Sequence, residues 1–247
     1  MKIVADLHTH TSVSDHAYSS LREMAQGARR AGLVAIGITN HGPAMEDGAH
    51  QWHFANLDII PRQMEGVTVI RGVELNICAP DGHVDEMGGR GMHAVEFALA
   101  SFHDDCYPPA TRAKHTEALE AVLHNPQVNA LGHPGNNKFP FDMEYIISRC
   151  NEYGKIVEIN NNSLHIRPGS RENCAEIARL CKKYEVPVVV NSDSHIEFTV
   201  GRVDGALAML EEIGFPERLV LNADEERFFG YIKEKKNIDY YGLLRQN

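Results

Sequence analysis

The sequence of 247 residues lacks the features of several protein classes. It has no stretch of about 18 apolar residues, so we expect no membrane-spanning helix. It also has no Pro/Gly/Ser-rich linker, low-complexity tract or repeat, and its length suits one α/β barrel, so we expect a single domain over residues 1–247. The first apolar segment leaves no room for a signal peptide, which indicates a cytoplasmic protein.

The sequence also has few cysteines and fewer basic than acidic residues. The five cysteines are odd in number and contain no C-x-x-C pair, so we expect reduced thiols instead of a disulfide framework. Lys and Arg number 24 against 34 Asp and Glu, which gives a net charge of −10. This balance argues against stable nucleic-acid binding, because such binding needs a broad basic surface. A nucleotide substrate remains compatible with it, since bound metal ions reverse the local field.

The sequence is instead rich in histidine at the ends of apolar runs. Seven of its fourteen histidines lie in such polar clusters. The clustered side chains are His8, His10, His16, His41, His103, His133 and His195, together with the carboxylates Glu74 and Asp193. Imidazole and carboxylate at this density are the ligands of Zn²⁺, Mn²⁺ or Fe²⁺. The pattern indicates one metal site built from many strands, as in a metal-dependent hydrolase.

Short β-branched runs predict seven strands, at residues 2–6, 33–39, 67–71, 97–102, 129–132, 155–160 and 187–191. Helical patterns separate these runs, which predicts an α/β fold with a parallel sheet and right-handed crossovers. Polar residues follow every strand, so the strand ends should face a common centre. That favours a closed barrel over an open doubly wound sheet. Residues 219–221 are either an eighth strand or the lead into a helix, and residues 76–86 predict an inserted hairpin.

The helical segments carry recognisable end signals. Ser20 and Glu23 form a capping-box sequence, and Gly32 ends the helix that follows. We expect Asp142 to cap a helix that ends at Gly154. Apolar spacing and end signals predict the remaining helices at residues 111–124, 170–185, 204–213 and 224–236.

The spacing within the clusters suits metal binding. His8 and His10 are two residues apart, so on a strand both imidazoles point to one face and can bind one metal ion. Asp193 and His195 repeat this spacing near the other end of the chain. Glu74 is a candidate bridge between two cations, because the two oxygens of a carboxylate can bind separate ions.

As a set, these motifs resemble those of the polymerase and histidinol phosphatase (PHP) family. The similar stretches include D-L-H-T-H at residues 6–10, N-H-G at 40–42, G-H-P at 132–134 and S-D-S-H at 192–195. Residues 133–136 and 158–161 resemble more specifically the small stand-alone bacterial phosphatases of the YcdX type.

This resemblance implies a distorted seven-stranded (βα)7 TIM-like barrel with a metal site at the carboxyl ends of the strands. It also implies three divalent ions, with zinc favoured and manganese or iron as alternatives. The implied ligand sets are His8, His10, Glu74 and Asp193 for the first ion, Glu74, His103 and His133 for the second, and His16, His41 and His195 for the third. The implied activity is that of a metal-dependent phosphoesterase, which hydrolyses a small phosphorylated substrate with a metal-activated hydroxide.

Several further residues are candidates for supporting roles. We expect Asp6 and Asn40 to orient metal-bound imidazoles, although Asn40 stands where the family usually has Asp, which would weaken the third site. The candidate phosphate-binding cations, each also interpretable as a surface charge, are Arg71, Lys138, Arg167 and Arg171.

Two other functions remain open. A homo-oligomer is compatible with the sequence under any of these functions. The first is an amidohydrolase-type hydrolase, which typically carries a bridging Lys after the fourth strand, where this chain has His103. The second is a metal-binding regulatory or storage protein without turnover. Nine ligands shared by three ions would leave coordination positions open, which argues against pure storage.

Overall fold

The computed structural model describes residues 1–244, and its sheet confirms the predicted seven-stranded barrel. Seven strands are parallel and neighbour one another in the order β1-β2-β4-β5-β6-β7-β8, while β3 pairs antiparallel with β4. The strands are β1 (Ala5–Asp6), β2 (Ala35–Ile38), β3 (Gln63–Met64), β4 (Val67–Asn76), β5 (Phe97–Ser101), β6 (Ala130–Leu131), β7 (Ile156–Asn160) and β8 (Val188–Asn191).

The third predicted strand is longer than its apolar run. β4 continues to Asn76, so Glu74 lies inside the strand and does not follow it. The predicted end at residue 71 was wrong because Arg71 and Glu74 are buried polar residues, which resemble a strand end in the sequence. The hairpin expected after it is reduced to one antiparallel bridge between Ile77 and Val84.

The barrel is closed between β8 and β1 by the side chain of Asn222 and by one parallel backbone bridge between Thr9 and Ser194, and not by a continuous ladder. Residues 219–221 form no eighth strand, because two short 3₁₀ turns occupy Glu217–Leu219 and Leu221–Ala223 and only Val220 between them makes a single parallel bridge, to Val188. Between these strands, Asn222 Nδ2 donates to the carbonyl oxygens of Ala5 and Val190, both at 2.7 Å, and its Oδ1 accepts from Val190 N at 3.0 Å. The amide of Asn222 thus satisfies the backbone groups that a strand would pair.

The helices of the described chain are α1 (Leu21–Arg30), α2 (Gln51–Ala55), α3 (Gly88–Gly91), α4 (Arg112–His124), α5 (Met143–Ile147), α6 (Ser163–Ile166), α7 (Ser170–Tyr184), α8 (Asp204–Ile213), α9 (Glu225–Lys236) and α10 (Tyr240–Leu244). Ser20 and Glu23 form the expected capping box of α1. Asp142 caps α5, but this helix ends at Ile147 and turns fill the segment to Gly154, so the predicted end was wrong. Over residues 1–244 no helix has the length and apolarity that crossing a membrane requires.

An apolar cluster inside the strand ring positions the site above it. Its members come from the seven parallel strands and from the two C-terminal helices, and include Ile70, Leu99, Ile156, Val189, Phe228 and Tyr240. Side chains two residues apart on a strand share a face. Glu74 therefore lies on the face of Ile70, and Glu158 on the face of Ile156, each nearer the carboxyl end. The tyrosine hydroxyl of Tyr240 donates to Glu96, just before β5, which places α10 at the opposite, amino end of the barrel.

Candidate metal centre

Glu74 lies at the centre of the predicted ligands, and its two oxygens face different imidazoles. Oε2 is 3.1 Å from His8 Nε2, 3.5 Å from His10 Nε2 and 2.8 Å from His41 Nδ1. Oε1 is 2.9 Å from His133 Nε2 and 3.4 Å from His103 Nε2. Since the oxygens are divided between two groups of nitrogens, the geometry suits the bridging role expected of this carboxylate.

Asp193 supplies the second carboxylate of the centre. Its Oδ1 lies 3.3 Å from His10 Nε2, 3.6 Å from His8 Nε2 and 3.7 Å from His195 Nδ1. The backbone of Asp193 has a φ of 56°, and that of His133 has a φ of 26°, both in a region that residues other than glycine rarely adopt. A backbone conformation of this kind persists only where the surrounding fold holds the residue in place, and it is most common at functional sites.

Three groups of side chains place donor atoms within 4.8 Å of one another. These groups are His8, His10 and Asp193; His41, Glu74 and His103; and His10, His41 and His195. The first contains three of the four ligands implied for the first ion, without Glu74. The second group places His41 beside Glu74 and His103, and His133 lies within hydrogen-bonding distance of Glu74. The third group contains His10 in place of His16. Seven of the nine predicted ligands therefore fall in these groups, without His16 and His133, and their division among the groups differs from the implied ligand sets.

Unpartnered polar atoms are concentrated in this centre. Seven of the twelve buried side-chain nitrogen and oxygen atoms without a hydrogen-bond partner in residues 1–244 belong to the predicted ligands. They are His8 Nε2, His10 Nδ1 and Nε2, His41 Nδ1 and Nε2, Glu74 Oε2 and His195 Nε2. An unpartnered buried group costs about 1–3 kcal/mol, so each such atom calls for an explanation. Nitrogen and carboxylate donors converging in this way fit divalent cations of the zinc type.

The imidazoles are oriented by partners on their other nitrogen. His8 Nδ1 donates to Glu158 Oε1 at 2.7 Å, His103 Nδ1 to Asn76 Oδ1 at 2.7 Å, and His195 Nδ1 to the carbonyl of Asp193 at 3.0 Å. His16 Nδ1 donates to Asp47. Each contact places the proton on Nδ1 and leaves the lone pair of Nε2 for a cation, which is the usual arrangement of metal-binding histidine.

Burial and neighbouring charges set the protonation of the carboxylates. Burial alone would raise the pKa of Glu74, but His8, His103 and His41 hold it well below its ordinary value. The pKa of Asp193 is likewise held well below its ordinary value against burial, by His8, His10 and Arg167. Both carboxylates are therefore anionic at neutral pH.

Most of the imidazoles with a shifted pKa are neutral. Burial lowers the pKa of His133 to about 4, with Arg167 contributing in the same direction, and burial likewise lowers the pKa of His10 and His195. His8 is the exception, because Glu158, Glu74 and Asp193 outweigh its burial and raise its pKa well above the ordinary value. In the absence of a cation, a proton on His8 thus offsets part of the surrounding negative charge.

Within residues 1–244, Asp6 and Asn40 make no side-chain hydrogen bond to the imidazole of a candidate metal ligand, contrary to expectation. Asp6 accepts from the backbone N–H groups of Ser192 at 3.1 Å and Gly201 at 2.9 Å, so it fixes the loop that carries Asp193 and His195. Asn40 Oδ1 accepts from Thr11 N at 2.7 Å, and its Nδ2 donates to His53 Nε2 at 3.2 Å. The Asn at position 40 therefore bonds Thr11 and His53, and its side chain does not contact His41 through a hydrogen bond.

Sequence reasoning missed three orienting residues: Glu158, Asn76 and Asp47. Glu158 is fully buried and also accepts from His133 N at 2.6 Å, which ties two candidate ligands to one carboxylate. Its signal in the sequence is a lone charge inside the apolar run of β7, on the face that Ile156 shares. Asn76 has a similar signal at the end of β4. Asp47 lies in a loop and has no such signal.

A cavity of about 1190 Å³ opens above the centre and receives one of the four candidate phosphate-binding cations. Arg167 lines it, with its Nη1 3.5 Å from Asp193 Oδ2 and 2.6 Å from Ser163 Oγ. Arg71 instead donates to the carbonyls of Asp58 and Ile60, Lys138 pairs with Asp104 on the surface, and Arg171 pairs with Glu212 in a separate groove. Arg71 and Arg171 are thus engaged away from the cavity, whereas the partner of Lys138, Asp104, lines it, so Lys138 remains a candidate at its rim.

Comparison with known proteins gives consistent matches. The model of the PHP domain family matches residues 6–166. The chain is 48% identical over 236 residues to a probable phosphatase of Acetivibrio thermocellus, which covers 96% of this chain and 98% of the relative. It is 39% identical over 244 residues to a probable phosphatase of Clostridium acetobutylicum, with 98% and 100% covered.

Among solved structures, the fold is similar to histidinol phosphate phosphatase from Lactococcus lactis, crystallised with zinc, L-histidinol and phosphate. The TM-score is 0.62 at 18% identity, with 87% of this chain and 95% of that chain covered. At this low identity the match bears on the fold alone, and it agrees with the barrel described above.

Proposed function

We propose that this chain, which belongs to the PHP domain family, is a metal-dependent hydrolase of phosphate esters that acts on a small phosphorylated molecule. The observation that carries the proposal is the set of seven unpartnered, buried donor atoms around Glu74. The relatives that cover nearly the whole chain are named probable phosphatases, which supports phosphate ester chemistry.

We further propose that the centre holds three divalent ions, with zinc favoured by the resemblance to the family and manganese or iron as alternatives that the same nitrogen and oxygen donors would accept. His8, His10, Glu74 and Asp193 would hold the first, and Glu74 with His103 and His133 the second. His41 and His195, joined by His16, would hold the third. Bound ions would supply Lewis-acid chemistry, in which water is activated as a nucleophile and the charge on phosphoryl oxygens is neutralised.

The protein side chains contribute orientation and charge to this chemistry. Glu158, Asn76 and the carbonyl of Asp193 keep Nε2 of His8, His103 and His195 directed at the centre. The guanidinium of Arg167 faces the cavity and can bind phosphoryl oxygens through charge-assisted hydrogen bonds. Ser163 and Asp193 hold that guanidinium in place, so it reaches the substrate with little loss of side-chain freedom.

The cavity supports a small substrate. Its volume of about 1190 Å³ has room for a small organic molecule attached to a phosphoryl group. Carboxylates of Asp15, Glu46 and Asp204 line its outer part, which disfavours the backbone of a nucleic acid.

The test combines metal analysis with phosphate release. Purified protein is expected to contain divalent metal and to release phosphate from some members of a panel of phosphomonoesters, with loss of release on chelation. Glu74→Gln should reduce both the metal content and the rate. Release that persists after complete metal removal would overturn the mechanism. Full metal loading without release from any phosphoester would favour the regulatory function instead.

The matched pair Arg167→Gln and Arg202→Gln tests phosphate binding, since both arginines line the cavity. Arg167 pairs with the candidate ligand Asp193 at 3.5 Å, whereas within residues 1–244 no ion pair joins Arg202 to a candidate ligand. Arg167→Gln should lower kcat/KM by at least about tenfold, the equivalent of one charge-assisted hydrogen bond, and Arg202→Gln should have little effect. Equal effects of the two substitutions would contradict the role of Arg167.

A further inference from the structure

His16 differs from the other eight predicted ligands in its exposure. Its side chain is 46% exposed, whereas the next most exposed, His195, is at 22%. It is also absent from the three groups whose donor atoms lie within 4.8 Å of one another. Its ring nevertheless stacks on His195 with centroids 4.5 Å apart and lies 5.1 Å from the ring of His41. His16 thus stands at the solvent edge of the group formed by His10, His41 and His195.

A carboxylate from a different loop holds this exposed ring. His16 Nδ1 donates to Asp47 Oδ2, so the loop after β1 is joined to the loop after β2. The contact reproduces the pairing of His8 with Glu158, in which a carboxylate accepts from Nδ1. The side chain of Asp47 is 28% exposed and that of His16 46% exposed, so the pair lies at the solvent edge of the centre.

Both loops are anchored at the predicted metal centre. In the first loop, the N–H of Tyr18 donates to the carbonyl of His195 at 2.8 Å. In the second, the N–H of Ala49 donates to the carbonyl of His41 at 3.0 Å. The pair of His16 and Asp47 therefore spans two segments whose positions are already tied to the other candidate ligands of the third ion.

We propose that Asp47 is a positioning residue that determines how tightly the third metal ion is bound. An exposed imidazole can rotate and can carry its proton on either nitrogen, and both freedoms oppose metal binding. The carboxylate of Asp47 fixes the proton on Nδ1 and directs Nε2 of His16 toward His41 and His195. This inference rests on the proposed function in one respect, namely that the centre binds metal ions.

Two other carboxylates in the cavity serve as controls that distinguish positioning of His16 from a general electrostatic attraction of cations. Asp15 and Glu46 line the same cavity, and within residues 1–244 no hydrogen bond or ion pair joins either of them to His16. Asp15→Asn and Glu46→Gln remove one negative charge each, as Asp47→Asn does. A general effect of negative charge would appear in all three variants, whereas positioning would appear only in Asp47→Asn.

The experiment is a titration of the metal-free protein with Zn²⁺, followed by calorimetry in the presence of a competing chelator. We expect three binding events in the wild type. In Asp47→Asn the weakest event should lose about 10–100-fold in affinity, the usual effect of removing such a partner, while the other two stay unchanged. Asp15→Asn and Glu46→Gln should bind all three ions as the wild type does.

A double-mutant cycle tests whether Asp47 acts through His16. In a His16→Ala background, Asp47→Asn should cause no further loss of Zn²⁺ affinity, since the contact it removes is already gone. Asp47→Glu, which keeps the charge but moves it by one methylene, should recover part of the affinity. If Asp47→Asn does not fold, as judged by circular dichroism, Asp47→Ala takes its place, because it also removes the carboxylate: an unchanged affinity for the third ion would overturn the proposal and a weakened third event would support it.

The outcomes distinguish this proposal from the proposed function. Three unchanged affinities in Asp47→Asn, an equal loss in the His16→Ala background, or only two binding events in the wild type would each overturn it. Failure of every phosphoester to react would leave the calorimetric result standing. Conversely, chelator-sensitive phosphate release with unchanged affinities in Asp47→Asn would refute the role of Asp47 alone.

Discussion

Replacement of Glu158 by Gln should damage both the fold and the metal centre, although the two side chains have almost the same shape. Glu158 accepts four hydrogen bonds at 0% exposure. Oε1 accepts from His8 Nδ1 at 2.7 Å and Asn191 Nδ2 at 2.9 Å, while Oε2 accepts from His133 N at 2.6 Å and Asn160 Nδ2 at 3.2 Å. A carboxylate can accept all four, whereas an amide has one oxygen and one NH₂ group.

Either orientation of the Gln amide leaves two donors facing its NH₂ group. At about 1–3 kcal/mol for each unsatisfied donor, the loss in unfolding free energy is about 2–6 kcal/mol. The neutral amide is less costly to bury than the anion, so we expect the lower half of this range. If the NH₂ group faces His8, the imidazole must place its proton on Nε2 to accept at Nδ1, and Nε2 can then no longer bind a cation. The affinity for the first ion should fall by about 10–100-fold.

Urea unfolding of the metal-free protein measures the first effect, and Zn²⁺ titration with a competing chelator measures the second. Glu144→Gln is the matched control, because Glu144 is a surface carboxylate, 56% exposed, that accepts from Lys183 and Tyr184. It should change neither quantity by more than about 1 kcal/mol. Wild-type Zn²⁺ affinity in a folded Glu158→Gln protein would refute the argument that this carboxylate orients His8.

Two further predictions concern the barrel. Asn222→Ala should lower the unfolding free energy by about 3 kcal/mol or more, since it leaves backbone groups of Ala5 and Val190 unpaired; a loss below about 1 kcal/mol in urea unfolding would contradict closure by this side chain. Burial lowers the pKa of Lys155 from 10.5 to about 8. Between these two pH values the unfolded chain binds more protons than the folded chain, so the unfolding free energy should rise with pH over this range, by up to about 3 kcal/mol. Lys155→Met should remove this rise, and parallel pH profiles of the two proteins would show that the pKa of Lys155 does not differ between the folded and unfolded states.

The barrel could be predicted because its pattern is periodic. Apolar β-branched runs mark the strands, and the polar residues that follow each run mark a common end of the sheet. The errors fall where a polar residue is buried or where a side chain replaces backbone. Glu74 ends an apolar run without ending β4, and Asn222 closes the barrel without forming a strand. Neither exception has a periodic signal, because each depends on contacts with residues far away in the chain.

The site was predicted less completely than the fold, and for a physical reason. The side chains that converge on the centre follow strands, so topology alone brings them together. The orienting residues depend on side-chain direction, which the sequence does not specify. Asp6 and Asn40 precede candidate ligands in the chain but point to Ser192 and Thr11, whereas Glu158 lies 150 residues from His8 and contacts it directly.

The centre stores free energy that a bound cation can release. Its unpartnered nitrogen and oxygen atoms and its crowded imidazoles oppose folding, and the anchors at Glu158 and Asn76 prevent the rings from turning away to find other partners. A cation that binds only the folded chain relieves these costs and is bound more tightly for that reason. The same rigidity prevents the buried ligands from adjusting to a change in their neighbours. Metal affinity is therefore most easily altered at the third group, because its edge ligand His16 is held through one exposed pair with a carboxylate. Affinity for that ion can change through Asp47 while the buried sites around Glu74 remain as they are.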